Sequence, residues 1–544
     1  MADQMRAADV VAQRLYEAGC RHAFGMPGGE VLTIIDALRR AGLIFHLVKH
    51  ENSGGFIGEG VHHVDGAPVV LVATVGPGLM NVVNVVANAE QDRVPMIVLT
   101  GCVDADEALS YTHQVLDHRA VLAPITKATF TLSAAEADTI ADKAVAIATE
   151  RRAGPVLIDV PIAVADAPCT SKGRRRVEEG AIAPYGADLQ IAQLWLAEAR
   201  RPVIIAGLDV LRDGSETILR TFAERYGAPV ITTYKAKGVL PEDHPLALGG
   251  AGLSPLADTH LLPLVAQADL ILCVGYDPIE MRPGWREAWD PATQRVIDIQ
   301  AVPNRHYMHQ SGLSFTCHTG AALAALSEVS GVKPTQTPTQ TWPGGAVASV
   351  KTALANAFPH DDTWGPAAVI AEARAALPVN TQASVDSGAH RILLSQMWGC
   401  PYPRALIQSS GLCTMGCAVP MAMGLALADP DRPAVGFVGD GGFLMVAGEL
   451  TTAAEIGIKP IIIVFVDASL ALIELKQRQR QLKNVAVDYP GKHDIAAISR
   501  AMGGAGVAVR SRPELRAAID AALVADTFTV IAAEIDRGGY DGRI

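Results

Sequence analysis

The chain has 544 residues, and at roughly 100 to 200 residues per domain this length predicts three or four domains and excludes a single small binding module. Apolar residues make up 49% of the chain and charged residues 19%, a composition that allows large buried cores and excludes an intrinsically disordered protein. The 45 Lys and Arg residues against 57 Asp and Glu residues give a formal net charge of −12, which argues against nucleic-acid binding and leaves a small molecule as the expected partner.

The first part of the chain alternates short β-branched runs with Ala-rich stretches. Each run stops at Gly, Pro or Asp, a pattern typical of mostly parallel sheets flanked by helices, so the predicted fold class is α/β. The predicted strands are residues 44–49, 69–74, 96–100 and 156–160. A polar stretch at residues 169–180 interrupts the alternation, and we interpret it as a linker after a first domain of residues 1–170.

Two further segments repeat this organisation. The second, residues 186–330, has predicted strands at 202–206, 230–233, 270–274 and 296–299. The Pro- and Thr-rich stretch 330–338 suits neither a helix nor a central strand, so it predicts a domain boundary. The third segment, residues 350–544, has predicted strands at 382–385, 434–438, 461–466 and 528–533. Two end domains of similar plan therefore flank a middle one.

The lengths of the apolar runs and the spacing of the cysteines predict the compartment of the protein. Runs such as residues 69–75 and 461–466 are too short to span a bilayer, and residues 1–4 open no signal peptide. The eight cysteines form no CxxC pair, and a chain of this length needs no disulfides for stability. We therefore expect a cytoplasmic protein with reduced thiols and no membrane contact.

An acidic, Gly-rich turn follows one predicted strand of the third segment. Gly439, Asp440, Gly441 and Gly442 stand between the strand and a helix predicted from about residue 443 to 456, a place where anions and their metals bind in α/β sheets. Asp467 ends the next strand 27 residues later, which suits Mg²⁺ held by one or two carboxylates and phosphate oxygens. The alternative is a tight turn whose Asp caps the helix.

Other nucleotide motifs are absent, and one acid stands out in the first segment. No GxGxxG follows a strand and no GxxxxGK[ST] occurs, which disfavours a Rossmann dehydrogenase and a P-loop ATPase. Glu51 follows the strand at 44–49, and Gly76, Pro77 and Gly78 follow the next strand. A carboxylate at such a strand end is placed for a cleft, although an acid in the first turn of a helix is a simpler interpretation.

Taken together, these motifs closely resemble the thiamine diphosphate enzymes of the acetohydroxyacid synthase and pyruvate decarboxylase superfamily, over nearly the whole chain. That superfamily has a pyrimidine-binding domain, a central Rossmann-like domain and a diphosphate-binding domain, in the order of the three segments. Four stretches resemble more narrowly the catabolic, flavin-independent acetolactate synthases: THQVLD at 112–117, PITK at 124–127, GYDPIE at 275–280 and GDGGFL at 439–444.

The resemblance implies roles for individual residues. Glu51 would be the acid that hydrogen-bonds the pyrimidine ring and relays a proton, and His113 and Gln114 would face the substrate. Asp440, Asp467 and the carbonyl of Ser469 would bind Mg²⁺. The remaining cofactor contacts would come from Gly28, Pro77, Asn81, Gly388, His390, Met415, Gly439, Gly441 and Gly442.

Several of these residue types have simpler interpretations. A lone Met is more often core filler, and only its motif position makes Met415 a support for the bent cofactor. A structural His is as good an interpretation of His113 as a substrate contact. His62 and His63 match no motif, and we interpret them as surface or packing residues.

The sequence also departs from the family pattern near the substrate. Residues 472–476 read LIELK where the catabolic synthases have Met-Val-x-Phe-Gln, and Val466 and Asp467 replace a usual Asn pair. Lys49 and Asn52 replace the common Arg and Gln beside Glu51. The cofactor site is therefore expected to be intact, whereas the acceptor pocket differs.

The resemblance implies thiamine diphosphate- and Mg²⁺-dependent decarboxylation of a 2-oxo acid, with pyruvate and acetolactate as the default substrate and product. Alternatives are a simple 2-oxo acid decarboxylase, a carbon–carbon lyase, or a non-catalytic thiamine diphosphate sensor. Retention of Glu51 argues against the sensor, because binding the diphosphate does not require that acid. A homodimer or homotetramer with the cofactor at the subunit interface is expected, without FAD.

Overall fold

Three six-stranded parallel sheets organise the chain. The computed structural model describes residues 5–171, 180–304, 306–328, 341–360, 363–489 and 493–544. Every strand pairing within the three sheets is parallel, and helices flank each sheet, which confirms the α/β class and the three-domain plan. Most of the predicted linker at 169–180, the stretch 330–338 and residues 1–4 lie outside the described residues.

The first domain has the strand order β3-β2-β4-β5-β7-β6. A two-residue antiparallel pair, β1 with β8, lies outside this sheet. The strands of the whole domain are β1 Met5–Arg6, β2 His22–Gly25, β3 Ile44–Leu47, β4 Val69–Ala73, β5 Met96–Cys102, β6 Ala128–Thr131, β7 Pro155–Pro161 and β8 Pro168–Cys169. Its helices are α1 Ala7–Glu17, α2 Leu32–Ala41, α3 Glu51–Asp65, α4 Pro77–Asp92, α5 His118–Leu122, α6 Ala137–Thr149 and α7 Ile162–Asp166.

The middle domain has the strand order β11-β10-β9-β12-β13-β14, so the chain reverses its direction of travel across the sheet between β9 and β12. Its strands are β9 Pro202–Ala206, β10 Val230–Thr232, β11 Ala247–Gly250, β12 Leu270–Val274, β13 Arg295–Gln300 and β14 Leu313–Thr316. Its helices are α8 Ala187–Glu198, α9 Leu208–Arg212, α10 Glu216–Tyr226, α11 Pro255–Gln267 and α12 Thr319–Ser327.

The third domain has the strand order β16-β15-β17-β18-β20-β19. Its strands are β15 Gln382–Val385, β16 Leu406–Gln408, β17 Ala434–Gly439, β18 Ile461–Val466, β19 Ala505–Val509 and β20 Thr529–Glu534. Helix α13 Ala346–Ala357 precedes this domain and packs on α11 of the middle domain. The helices of the third domain are α14 Pro366–Ala376, α15 Ala389–Met397, α16 Ala418–Ala428, α17 Asp440–Val446, α18 Leu450–Glu455, α19 Ala471–Gln479, α20 Ile495–Ala501 and α21 Arg512–Leu523.

All twelve predicted strands are present, with ends that shift by one or two residues. The central strands β4, β9 and β12 are buried along their whole length, because helices cover both faces of each sheet. One prediction was wrong. The helix expected from about residue 443 begins instead at Asp440, and a short 3₁₀ turn separates α17 from α18. The glycines after Asp440 thus lie in the first turn of the helix rather than in a loop before it.

Two glycines set the contact between the first and third domains. Helices α3 and α16 cross where Gly60 faces Gly424. A Cβ atom on Gly424 would lie 2.0 Å from the carbonyl oxygen of Ile57, and one on Gly60 would lie 2.3 Å from that of Met421. The two backbones therefore touch directly, which places the first and third domains of one chain in a single apolar core.

The sequence also predicts reduced cysteines and no membrane-spanning segment. No helix in the described ranges is both long and apolar enough to cross a bilayer. All eight cysteines lie in the described residues, and each is a free thiol.

Candidate active site

Glu51 lies at the carboxyl edge of the first-domain sheet. Strand β3 ends at Leu47, and α3 begins at Glu51 after His50, whose ring accepts a hydrogen bond from the Asn52 backbone. The Glu51 side chain is only 3% exposed, and its Oε2 accepts a hydrogen bond from Asn81 Nδ2 at 2.9 Å. Glu51 is thus an acid in a helix first turn, but its burial against one amide donor also holds it in a defined position.

The loop beside Glu51 is supported by a buried histidine. Pro77 opens α4, which carries Asn81, and Gly76 before it has a φ of 67°, a conformation that favours glycine. The Gly76 N–H donates to His118 Nε2 at 3.2 Å, and His118 Nδ1 lies 2.8 Å from Asp159 Oδ1. Sequence reasoning missed His118 and Asp159. A lone Asp within the apolar strand β7 was the available signal.

Gly28, another predicted cofactor contact, lies at the same edge. A Cβ atom there would stand 2.3 Å from Thr74 Oγ1, so the close approach requires glycine. Thr74 in turn borders Gly78, whose own Cβ would lie 3.3 Å from Glu51 Oε1. The structure therefore brings Gly28, Pro77, Asn81 and Glu51 to one sheet edge.

His113 and Gln114 lie on the loop between β5 and α5, and both are exposed in the single chain. Gln114 has a φ of 59°, and its backbone oxygen would lie 2.6 Å from a Cβ on Gly76. The His113 ring meets Tyr111 edge-on at 6.3 Å. The loop thus packs over the glycine turn through its backbone, which leaves both side chains outside the core.

The third-domain predictions come together in one cleft. All nine predicted positions of this domain line it, and they are Gly388, His390, Met415, Gly439, Asp440, Gly441, Gly442, Asp467 and Ser469. Ser387, Leu472, Ile473 and Tyr540 also line the cleft, and sequence reasoning gave none of them a role in binding. The carboxyl ends of β15, β17 and β18 form its floor, as expected for an open parallel sheet.

Two carboxylates stand side by side in this cleft. Asp440 is 6% exposed, and its Oδ2 accepts a hydrogen bond from the backbone of Ala468 at 2.7 Å. Asp467 Oδ1 accepts one from the backbone of Ser469 at 3.1 Å. Burial, reinforced by the neighbouring Asp440, raises the pKa of Asp467 to about 7, and burial also raises the pKa of Asp440. Within the described ranges neither carboxylate pairs with Lys or Arg, so the pair lacks a cation.

The loop that carries Asp467 and Ser469 is held in place by a buried carboxylate. Ala468, between the two predicted metal ligands, has a φ of 55°, which is unusual for a residue with a side chain. Ser469 Oγ donates to the buried Glu474, and Arg537 Nε donates to the same carboxylate at 2.8 Å. Glu474 therefore positions the loop rather than facing the cleft.

His390 and Met415 are linked through a buried acid. His390 Nε2 lies 2.7 Å from Asp386 Oδ1, and the ring stacks on Phe465 at 5.4 Å. Asp386 Oδ2 accepts from the backbone of Gly416 at 2.6 Å, directly after Met415. His390 is therefore held by structure as well as exposed to the cleft. No role for Asp386 was predicted from the sequence.

The two groups of residues form separate parts of one chain. The cleft is lined entirely by third-domain residues, as far as the structure describes the chain. The segment just before Glu51 contacts the third domain away from this cleft. The Lys49 N–H donates to Glu449 Oε1 at 3.1 Å, and Glu449 does not line the cleft. The Glu51 edge and the Asp440 cleft are thus two half-sites.

Comparison with known proteins shows which family this chain belongs to. Three family models match, described as thiamine pyrophosphate enzyme N-terminal TPP binding domain over residues 5–121, central domain over 189–326 and C-terminal TPP binding domain over 386–533. The acetolactate synthase isozyme 1 large subunit of Escherichia coli (strain K12) is 30% identical, covering 91% of this chain and 88% of its own length. The chain belongs to the acetolactate synthase-like thiamine diphosphate enzymes.

Other relatives of this thiamine diphosphate enzyme carry different names. The catabolic acetolactate synthase of Raoultella terrigena is 26% identical over 97% of this chain and 95% of its own length. The probable 2-ketoarginine decarboxylase of Pseudomonas aeruginosa is 29% identical over 92% of this chain and 88% of its own length. Membership confirms the predicted enzyme class, a thiamine diphosphate-dependent carboligase or decarboxylase.

Proposed function

We propose that this enzyme binds thiamine diphosphate with Mg²⁺, decarboxylates a 2-oxo acid, with pyruvate the default, and joins the product to a second carbonyl to form acetolactate. The observation that carries the proposal is the pair of half-sites, a buried acid at one sheet edge and an uncompensated carboxylate pair in a Gly-lined cleft at another. Bound thiamine diphosphate would supply a carbon nucleophile for the 2-oxo carbonyl and a ring that accepts the electron pair released by decarboxylation.

The third-domain residues fit a metal and a diphosphate. Two adjacent carboxylates without a counter-charge suit a hard cation such as Mg²⁺, with the Ser469 carbonyl as a further oxygen ligand. Gly441 and Gly442 leave little room for side chains, since a Cβ on either would lie 2.3 Å from a neighbouring polar oxygen. The Gly442 backbone amide, in the first turn of α17, could therefore approach an anion, whereas the Gly441 amide donates to Asp440 Oδ1 at 2.7 Å.

Glu51 is suited to hold or transfer one proton. Asn81 donates to its Oε2, and the buried setting limits competition from water. His118 and Asp159 would keep the loop of Gly76 and Pro77 in place beside it. We propose that Glu51 exchanges a proton with a ring nitrogen of the cofactor, whereas His113 and Gln114 would face the substrate.

A second function is favoured by the Pseudomonas aeruginosa relative, whose name describes a 2-ketoarginine decarboxylase. In that case the carbon that loses carbon dioxide would bond to a proton rather than to a second carbonyl, and an aldehyde would be released. Leu472 and Ile473 line the cleft at the place where this chain departs from the catabolic pattern, so we propose that they shape the substrate pocket.

Product analysis separates the two functions. The purified enzyme is incubated with thiamine diphosphate, Mg²⁺ and either pyruvate or a longer 2-oxo acid, and the products are identified by NMR. Acetolactate from pyruvate supports the carboligase, and an aldehyde from the longer acid supports the decarboxylase. Absence of carbon dioxide release from every 2-oxo acid tested would contradict both.

We also propose that the enzyme works without FAD. In open α/β sheets a dinucleotide binds at the carboxyl ends of the strands where the strand order reverses, here β9 and β12. A buried ion-pair group fills that place, because Arg93 of the first domain binds Asp209 at 2.6 Å and Asp277 at 2.5 Å. Stoichiometric flavin absorbance in the purified protein would contradict this proposal.

We propose a homodimer, alone or within a homotetramer, as the active unit, located in the cytoplasm. Exposed apolar side chains flank both half-sites, among them Leu32 and Met80 near Glu51, and Met445 and Ile473 near the cleft. Such side chains suit a subunit interface. Two-fold pairing would then bring the Glu51 edge of one protomer to the cleft of its partner, so that one cofactor spans both.

Mixed protomers test this assembly. Glu51→Gln and Asp440→Ala subunits are each expected to be inactive alone, but a mixed dimer keeps one intact site and regains up to about half the activity of its wild-type counterpart. Activity is measured after subunit exchange verified by native mass spectrometry. Lack of recovery in exchanged dimers would mean that each chain builds its site alone.

A further inference from the structure

A second cavity lies where all three domains meet. Its volume is about 250 Å³, and its walls come from the ends of α3 and α4, from α9 and the segment after β10, and from β16 and the residues before it. The histidine and charged side chains that line it are His62, His63, Asp92, Arg93, Arg212, Lys235 and Arg404. The cavity is thus large enough for a small metabolite and is rich in positive charge.

Two of the cations have no carboxylate partner of their own. Lys235 pairs with Asp92 at 3.0 Å, so its charge is compensated. Among the described residues no carboxylate lies within salt-bridge distance of Arg212 or Arg404. Arg212 donates to the backbone oxygen of Arg93 at 2.6 Å, and Arg404 has only a long contact of 3.5 Å to that of His63.

Burial is costly for these unpaired guanidinium groups. It lowers the pKa of Arg212 to about 10 and also lowers the pKa of Arg404. The acids that act on them from a distance are Asp209 and Asp213 for Arg212, and Glu216 for Arg404, but their attraction does not offset the burial. An anion between the two groups would supply the missing charge.

The two histidines add neutral hydrogen-bonding groups. Burial lowers the pKa of His62 to about 3 and places that of His63 well below its usual value, so both rings are uncharged at neutral pH. Neither ring nitrogen of His63 has a hydrogen-bond partner in the part of the chain that the structure describes, and the Glu59 carboxylate stands 3.6 Å away. One of these nitrogens carries an N–H that could donate to a ligand.

We propose that this three-domain cavity binds a small oxyanion, a phosphate or carboxylate group of a metabolite, between Arg212 and Arg404. The site is separate from the half-site of Glu51, because His63 lies twelve residues further along α3, roughly 18 Å at 1.5 Å per residue. Binding contacts from all three domains would tie them together, so the ligand would raise the thermal stability of the whole chain.

Calorimetric titration of full-length protein, stripped of cofactor and metal, tests the proposal. Inorganic phosphate and malonate are the probes, with chloride at equal ionic strength as the reference, and the two probes distinguish a phosphate from a carboxylate ligand. We expect saturable binding of at least one probe, a rise in the thermal midpoint, and affinity at least about tenfold weaker in Arg404→Gln. If Arg404→Gln does not fold, Arg404→Lys replaces it, with an expected loss of several-fold because the bidentate geometry changes.

Two controls accompany this titration. Arg286→Gln removes an exposed arginine of the middle domain, which also carries Arg212, and is expected to bind like the wild type. The wild type saturated with thiamine diphosphate and Mg²⁺ has a filled cofactor cleft and is also expected to bind like the stripped protein. The proposal is overturned if neither probe binds, if Arg404→Gln binds with unchanged affinity, or if saturation with thiamine diphosphate and Mg²⁺ abolishes binding, since the anion would then occupy the cofactor cleft. None of these outcomes depends on which reaction the enzyme catalyses.

Discussion

Replacing Gly424 by Ala tests the contact between the first and third domains within one chain. The new Cβ would lie 2.0 Å from the Ile57 carbonyl oxygen and 2.9 Å from Gly60 Cα. Since carbon–oxygen contacts between helices are normally about 3.3 Å or longer, α3 and α16 would have to separate by more than about 1 Å. Overpacking of this kind typically costs about 1 to 3 kcal/mol, and both contacts are with backbone that has little freedom to move.

The measurement is urea unfolding against a matched control. Gly448→Ala adds the same methyl group in the same domain where no atom of the described residues lies within 4 Å, so it reports the gain from replacing glycine alone. We expect Gly424→Ala to lose about 2 kcal/mol relative to this control, which lowers the urea midpoint of the transition that unfolds these domains by at most roughly 1 M, since the m-value rises with the surface exposed. Equal midpoints for the two variants would refute the direct backbone contact between the domains.

Three further predictions concern single carboxylates. Glu51→Gln should keep the fold and cofactor binding but lower turnover at least about a hundredfold, because proton transfer is lost; carbon dioxide release measures it, and a near wild-type rate would contradict the role. Asp440→Ala should abolish Mg²⁺-dependent cofactor binding, which titrations with and without chelator would detect as a loss of metal dependence. Burial raises the pKa of Asp298 from 3.8 to about 6, so its ionisation destabilises the folded state as pH rises through this range. Asp298→Asn removes this cost but also replaces one of the two oxygens that accept from the Gln300 amide, so its stability relative to the wild type should rise by about 1 kcal/mol or more from pH 5 to pH 7.5, and a difference that does not grow with pH would contradict this.

The fold was predictable where strands are buried on both faces, because such strands read as apolar β-branched runs between turn residues. The strands that were missed include β6, β14 and β19, which stand at sheet edges. β6 and β14 are four residues long and mix polar with apolar residues, and β19 reads AGVAV, which is rich in Ala and Gly like the helical stretches. The same limit applied to the sites. Asp440 and Asp467 end consecutive strands of the alternation and could be paired from spacing, and the glycines beside Asp440 came from the same turn. The resemblance added Gly388, His390, Met415 and Ser469.

Contacts between distant segments left no local signal. His118 and Asp159 are 41 residues apart, and Arg93 lies 116 residues from Asp209, so only the folded chain brings them together. The crossing of α3 and α16 was equally invisible, because a glycine in a helical pattern says nothing about which helix it faces. Whether His113 and Gln114 contact substrate stays a prediction, since in the single chain both side chains face solvent.

The ion-pair group of Arg93, Asp209 and Asp277 constrains how this sequence can change over evolutionary time. Arg93 is 6% exposed and Asp209 2% exposed, and removal of one partner from such a buried pair costs about 3 to 5 kcal/mol because the other charge remains without compensation. That cost is a large share of the stability of an ordinary domain. Descendants of this chain should therefore replace all three residues together or keep all three. A lineage that opened the crevice between β9 and β12 to a nucleotide would have to pass through variants that fold poorly.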